Sequence, residues 1–554
     1  MRQRSPVTAL LLLTALLLAG CAPRAAPQTP APPGPTPTGP APLAAPTSPA
    51  PPPSPTPAPP AAEIVVDAAQ ARPFDRRLLG TNLPAWIAPD RLAQADLQRR
   101  ITDLGPTLLR MPGGSWSNAY SWEACERGSA DGCYWPWAAR PSDFLSFLRA
   151  TGQEGIWTVS INGTAQEAAA LVAFFNGAVD DERPIGVDLR GRDWRTVGHW
   201  ARLRAEGGNP EPLPIHYWEV GNEVYGGKSG NGPDCAPWGW EDVWTCDGAE
   251  YVLGVGSGAD RREGYLEFRA AMRAVDPSIL VGAVGIASPD DWSNWGNEVI
   301  EQAGADLDFY VVHLYAFESE PGPAASVLPL PQQIWPRMAR ELNAAFDRYV
   351  GRRVPVAVTE YNLVAFQDQD NAQLMRRAAN FIYTADTIGQ MAEHGVIIAN
   401  QWNLANGVAD NGTDYGLIDS ASFAPNPQYY SLALWQRFGA ELLAVETVFR
   451  ADRELSVYAG RAPDGTISLL VINKTDRPIT AGVLVAGVTG PLAGRRDVVA
   501  AESLEAQVLS VNGVPNPAGP LDALPGQELG PVSGSFQQSF DPYSVTLLRL
   551  SPQG

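Results

Sequence analysis

Short apolar runs recur along this chain between longer segments whose apolar positions fall near a 3.6-residue period. Eight runs predict strands, at 78–82, 107–110, 155–160, 215–220, 280–284, 309–313, 354–359 and 396–402. Segments 165–176, 262–275, 335–349 and 373–394 predict helices between them. A repeated strand–helix order of this length predicts an α/β fold built on a parallel (β/α)8 TIM barrel. After about Glu441 the pattern changes. Runs at 455–458, 466–472, 479–485, 507–511 and 544–550 read as strands, and Gly, Pro, Asp and Asn separate them. They predict a C-terminal antiparallel β-sandwich domain. Ile64-Val65-Val66 predicts one further strand, which joins that domain from the other end of the folded part. The expected division is 63–75 for this joining strand, 76–435 for the barrel and 436–554 for the accessory domain.

The first 62 residues have a different character. Arg2 and Arg4 precede an apolar run that ends in Leu18-Ala19-Gly20-Cys21. This is the layout of a secretory signal over 1–20. A cysteine directly after small residues resembles a bacterial lipoprotein cleavage site, which implies lipid attachment at Cys21. The run is short for a membrane span. Residues 22–62 are almost all Pro, Ala, Thr, Ser and Gly. They cannot build an apolar core and favour extended conformations, as expected of a tether. The implied place is the bacterial cell envelope, outside the cytoplasm, with the lipid as the membrane contact.

The formal charge of −20 and the pI near 4.7 argue against a nucleic-acid partner. Such a balance suits a neutral substrate. Beyond Cys21 there are four cysteines, Cys125 and Cys133 in one loop-like segment and Cys235 and Cys246 in another. Four cysteines allow three pairings. Two local disulfides are the economical choice in an oxidising compartment. Wide spacings with no nearby histidine argue against a zinc site. No His-Glu-x-x-His pair or nucleotide-binding glycine loop occurs, so neither metal nor cofactor is expected. The sequence carries no signal for an oligomeric state.

Two glutamates carry the candidate chemistry. One closes Ile215-His216-Tyr217-Trp218-Glu219-Val220-Gly221-Asn222-Glu223, and the other ends Val354-Pro355-Val356-Ala357-Val358-Thr359-Glu360. Parallel barrel strands would bring both to one rim. Glu223, just past a strand, is placed to donate a proton to a leaving-group oxygen. Glu360, at the end of an apolar strand, is placed to attack an anomeric carbon, because a buried carboxylate without a purpose is costly. Arg110 would help keep Glu360 ionised, and Tyr315 would donate to the same oxygen. Carboxyl groups about 5–5.5 Å apart serve a retaining glycosidase, and about 6.5–9.5 Å an inverting one. The sequence leaves that distance open.

The segments Trp218-Glu219-Val220-Gly221-Asn222-Glu223 and Thr359-Glu360-Tyr361-Asn362 resemble the two signatures of the large retaining glycosidase clan built on (β/α)8 barrels. Leu109-Arg110-Met111-Pro112-Gly113-Gly114, Asn162-Gly163-Thr164, His313-Leu314-Tyr315 and Gln401-Trp402-Asn403 are most similar to glycoside hydrolase family 51, mainly α-L-arabinofuranosidases. The resemblance spans roughly residues 76–550. It implies Glu223 as acid/base, Glu360 as nucleophile and a carbohydrate substrate. It also implies that Arg110, Asn162, Asn222, His313, Tyr315 and Trp402 bind the reacting sugar. There are departures. The family usually has Asn after the paired glycines, where Ser115 and Trp116 stand here, and its nucleophile usually sits in an Asp-Glu-Trp-like setting. These departures bear on the substrate more than on the mechanism, so a β-xylosidase or endo-β-glycanase of the same clan stays open.

Tryptophans cluster in the two cysteine-bearing segments. Trp116, Trp122, Trp135 and Trp137 lie in the first, and Trp238, Trp240 and Trp244 in the second. Flat rings can cover the apolar face of a sugar, and rings under long loops can equally form small cores. A non-catalytic carbohydrate-binding lipoprotein would share these aromatics but would need no facing carboxylates.

Overall fold

The computed structural model describes residues 62–553, apart from 106, 130–131, 229–234, 237–240, 489 and 518. The expected leader, Cys21 and nearly all of the Pro-rich tether lie outside the described residues. Eight parallel strands close a barrel. In chain order after β1 (Ile64–Pro73) they are β2 (Gly80–Asn82), β3 (Leu108–Met111), β4 (Glu154–Val159) and β5 (Tyr217–Val220). A two-residue hairpin follows, β6 (Gly227–Lys228) with β7 (Cys235–Ala236). Then come β8 (Leu280–Val284), β9 (Phe309–Phe317), β10 (Val356–Val364) and β11 (Val396–Gln401), and β11 pairs with β2 to close the ring. Each of the eight apolar runs expected to form the barrel contributes one of its strands.

The strands read as near-continuous apolar runs because both faces are buried. Leu108, Ile156, Phe309, Val311, Ala357 and Ile398 form one packed cluster. Their neighbours Leu109, Trp157, Tyr310, Val312, Val358 and Ala399 belong to the larger core shared with the surrounding helices. This alternation is that of inward and outward positions on a barrel strand. Gly282 lies so close to the Phe309 ring that no Cβ fits. The inward phase also selects the polar groups that meet above this cluster. Arg110, Glu219 and His313 lie two residues beyond Leu108, Tyr217 and Val311, so they project into the same end of the barrel.

Two strands run further than expected. β9 continues past His313 to Phe317 and β10 past Thr359 to Val364, because they pair with each other there, Asn362 opposite Tyr315 and Val364 opposite Phe317. His313 and Glu360 therefore lie within strands instead of at their ends. The register shifts between Val358 and Glu360 against β9, and between Val358 and Tyr361 against β11. Val358 and Tyr361 both face the outer helices, where Tyr361 meets Trp335. Three residues separate these two outward positions, which a regular strand of period two cannot do. The irregularity absorbs one residue and turns Glu360 inward, as β-bulges beside functional sites do.

The second sheet comprises β1, β12 (Glu441–Thr447), β13 (Leu455–Arg461), β14 (Ile467–Asn473), β15 (Ile479–Ala486) and β16 (Leu492–Ala500). It is completed by β17 (Ser510–Val511), β18 (Val514–Pro515), β19 (Gln527–Val532), β20 (Ser535–Phe540) and β21 (Ser544–Pro552). Its pairings are antiparallel except one, since β1 runs antiparallel to β12 and parallel to β15. β14 is buried on both faces: Ile467, Leu469 and Val471 enter the sheet's own core, while Leu470 and Ile472 join the barrel's. β16, β19 and β20 carry no simple apolar run. β16 holds Arg495, Arg496 and Asp497 at its centre, and Asp497 there accepts from Asn512 and Arg549.

A buried polar cluster ties the sheet to the barrel helix Ala378–Glu393. Lys474 Nζ lies 2.7 Å from Asp386 Oδ2, and both side chains are wholly buried. Tyr458 Oη donates to Asp386 Oδ1 at 2.7 Å, and Gln332 donates to both carboxylate oxygens. A buried pair loses much of its Coulomb energy to desolvation, but removing one partner strands the other charge. Asp386→Ala should cost about 3–5 kcal/mol in urea unfolding. The double variant Asp386→Leu/Lys474→Met should recover most of that loss.

Candidate active site

Arg110 on β3 is wholly buried beneath the C-terminal end of the barrel. A guanidinium cannot shed its proton, so its surroundings must supply the compensation. Nε donates to Glu219 of β5, Nη1 to Glu360 at 2.7 Å and to Asn82 of β2 at 2.9 Å, and Nη2 to Asn222 at 2.8 Å. Arg110 does not reach the cavity above. It orients two groups that do line the cavity, Glu360 and Asn222, from the layer below.

Glu223 follows Gly221 and Asn222 at the end of β5. It holds φ at +45°, an uncommon conformation for a residue with a Cβ. The turn is pinned on its backbone: Asn118 Nδ2 donates to the Asn222 carbonyl at 2.7 Å, and the Asn222 N–H donates to Asn118 Oδ1 at 3.0 Å. His313 Nδ1 lies 2.6 Å from Glu223 Oε1, and its Nε2 lies 3.1 Å from Thr359 Oγ1. Tyr315 Oη donates to Glu360 Oε2 at 2.8 Å. An oxygen of Glu223, a nitrogen of His313 and an oxygen of Glu360 lie within 4.8 Å of one another. Among the described residues this is the one carboxylate–histidine group with metal-ligand spacing. Its donors are already engaged, Glu360 with Arg110 and Glu223 with His313.

Burial pushes the Glu360 carboxyl above its usual range. His313 and Arg110 oppose this, Glu223 adds to it, and the Tyr315 hydroxyl opposes it again. Burial disfavours charge on His313, but Glu360 and Glu223 outweigh it and its pKa is raised. The arrangement holds one carboxyl group between an arginine and a tyrosine, with a second across a gap.

The gap opens into a cavity of about 780 Å³, within the range of small-ligand sites. Glu223, Asn222, His313, Tyr315, Glu360 and Trp402 all line it. Trp402 packs on Gly114 so closely that a Cβ there would meet its ring, which accounts for the second of the paired glycines. Trp86 stands edge-on to both Trp116 and Trp402, with centroids 5.1 and 5.8 Å away. Trp116 stacks face to face on Trp135 at 3.9 Å, and Trp137 and Tyr134 stand exposed beside them. Trp122 is a core residue against Phe174 and Trp200, and Trp244 is buried. Trp238 and Trp240 lie outside the described residues. Both expected disulfides are present, Cys125–Cys133 and Cys235–Cys246, with Cα atoms 4.8 and 5.5 Å apart.

Asn162, like Arg110, is an expected binding residue placed clear of the cavity lining. Its amide donates to Asp242 and to the Asn118 carbonyl, so it ties two rim loops together. Sequence reasoning passed over Asn118, Glu241, Trp86 and Trp292. The last three also line the cavity. Trp86 lies just after a barrel strand, which was the available signal. Glu241 and Trp292 arrive through long connections with no such mark.

No family model matches the chain. α-L-arabinofuranosidase C of Emericella nidulans is 23% identical over 243 residues, which is 40% of this chain and 40% of that protein. The intracellular exo-α-(1→5)-L-arabinofuranosidase of Streptomyces lividans is 25% identical over 247 residues, 42% of this chain and 31% of its own length. The crystal structure of the Thermotoga maritima α-L-arabinofuranosidase superposes with a TM-score of 0.67 at 19% identity, covering 89% of this chain and all of that one. The fold is that of family 51 α-L-arabinofuranosidases. A family 44 xyloglucanase of Paenibacillus polymyxa is more distant, with a TM-score of 0.56 at 14% identity over 88% of this chain and 99% of its own.

The Tyr315 hydrogen bond draws the Glu360 carboxyl downward, so its removal should act in the opposite direction. In Tyr315→Phe the Glu360 titration midpoint, followed by carboxyl ¹³C NMR, should move to higher pH. An unmoved midpoint would remove Tyr315 from the groups that keep this carboxylate ionised.

Proposed function

We propose that this chain is a retaining glycoside hydrolase, most closely an α-L-arabinofuranosidase. Glu360 attacks the anomeric carbon while Glu223 protonates the leaving oxygen. Glu223 then takes a proton from water as that water releases the sugar from Glu360. The observation that carries this reading is the approach of Glu223 and Glu360 within 4.8 Å across an aromatic-walled cavity. Such a close approach favours the tighter carboxyl pair of a retaining enzyme over the wider pair of an inverting one. His313 and Tyr315 hold the pair, and Asn222 and Trp402 meet the sugar. Arabinofuranosidase relatives and structural neighbours support the substrate class.

The charge of the cavity narrows the substrate. Asp291, Glu318, Glu360 and Asp368 line it against Arg337. A uronate would meet repulsion there, so the reading is for a neutral sugar. A β-xylosidase or endo-β-glycanase is the second reading. It is favoured by the exposed Tyr134 and Trp137 beside the cavity, which suit a longer chain of sugars. A non-catalytic binding lipoprotein would not require the paired carboxyl groups.

We also propose lipid attachment at Cys21, a place outside the cytoplasm on a bacterial envelope, and the domain division 63–75, 76–435 and 436–554. The Leu18-Ala19-Gly20-Cys21 layout and the two disulfides support the location.

Aryl α-L-arabinofuranoside, β-D-xyloside, β-D-glucoside and β-D-glucuronide separate these readings. The arabinofuranoside should be turned over fastest and the glucuronide not at all, with the anomeric configuration of the first product retained. Glu360→Gln should abolish turnover with the fold intact. Glu223→Gln should lower kcat about 10²–10⁴-fold on poor leaving groups and less on activated aryl ones. Undiminished turnover in Glu360→Gln would end the proposal.

A further inference from the structure

Three polar side chains from two rim loops converge on one wall of the cavity. Ser115 follows the paired glycines after β3, Asn222 ends β5, and Glu241 returns from the long connection closed by the Cys235–Cys246 disulfide. Ser115 Oγ donates to Glu241 Oε1, and Asn222 Nδ2 donates to Glu241 Oε2 at 3.4 Å. The orientation of Asn222 is fixed. Its Oδ1 accepts from Arg110 and its backbone is held at both ends by Asn118, so its NH2 can only face Glu241. Position 115 is also where the family resemblance expects asparagine. The serine here is shorter, and a carboxyl group from another loop occupies the wall beside it.

We propose that Glu241, seated on Ser115 and Asn222, is a substrate-binding residue that reads a hydroxyl of the sugar held between Glu223 and Glu360. This rests on the glycosidase reading above and names one of its specificity groups. Burial pushes the Glu241 carboxyl up to about 9, with Glu223 and Glu360 adding to the rise and Ser115 and Asn222 opposing it. Tyr225 also interacts with it, and burial holds that phenol neutral. Glu241 therefore keeps its proton at neutral pH. A carboxylic acid offers a donor and an acceptor on one group, as a sugar hydroxyl does, so the two match in both directions. As a neutral acid it also adds no further negative charge beside the reacting pair. A sugar lacking that hydroxyl leaves the acid unpaired in a buried setting, which is how such sites reject deoxy analogues.

The test is direct binding, read apart from turnover. L-Arabinose is titrated into the wild type, Glu241→Gln and Glu241→Ala by calorimetry, with thermal unfolding recorded for each. Glu241→Ala should bind about 10–100-fold more weakly at an unchanged Tm. Glu241→Gln keeps a donor and an acceptor and should stay within about threefold of the wild type. Wild-type affinity should fall above about pH 9, where Glu241 loses its proton, and that fall should be smaller in Glu241→Gln. Wild-type affinity in Glu241→Ala would overturn the proposal, and aryl arabinofuranoside turnover by the same samples would show the glycosidase reading still standing. Absence of both sugar binding and turnover in the wild type would overturn both.

Discussion

Everything at the top of this barrel is organised around one buried cation. Arg110 sits where its charge has no access to water, and four side chains on or beside three other strands close on it. Glu219 and Glu360 bring two carboxylates to one guanidinium, so the pocket begins with an excess of negative charge. Glu360, together with Glu223, raises the pKa of His313, which lies between these two carboxyl groups. The same cation fixes Asn222, and through Asn222 the short turn that presents Glu223. Replacing Arg110 would therefore disturb the charge balance, the turn and Glu360 together, not one contact.

The rest of the chain supplies support at increasing distance. The register shift on β10 aims Glu360, and the Asn118 clamp aims Glu223. The two disulfides close the rim loops that bear the stacked tryptophans and Glu241. Farther out, the second sheet is anchored to a barrel helix through the buried polar joint of Asp386, Lys474 and Tyr458.

The barrel was legible because strands buried on both faces leave contiguous apolar runs, and eight such runs survive in the sequence. The two central glutamates were legible because each follows one of those runs. What escaped depended on contacts distant in sequence. Nothing local marks the extra residue at Thr359–Glu360, which only pairing with β9 and β11 makes visible. The family resemblance implied that Arg110 binds the sugar, and the inward phase of β3 places its side chain one layer below the cavity lining. Asn162 was expected in the pocket, but its amide is taken by another loop. β16 was missed because it carries Arg496 and Asp497 at its centre, whose partners Asp541, Asn512 and Arg549 lie elsewhere in the chain.

In the proposed reaction the sugar passes through a covalent bond to Glu360. Mass spectrometry of the Glu223→Gln protein, incubated with an activated aryl arabinofuranoside and digested with a protease, addresses it directly. Double displacement predicts that one pentosyl unit is carried by the peptide bearing Glu360 and is lost on standing. A label on any other residue, or conversion of the substrate to product of inverted configuration with no labelled peptide, would contradict it.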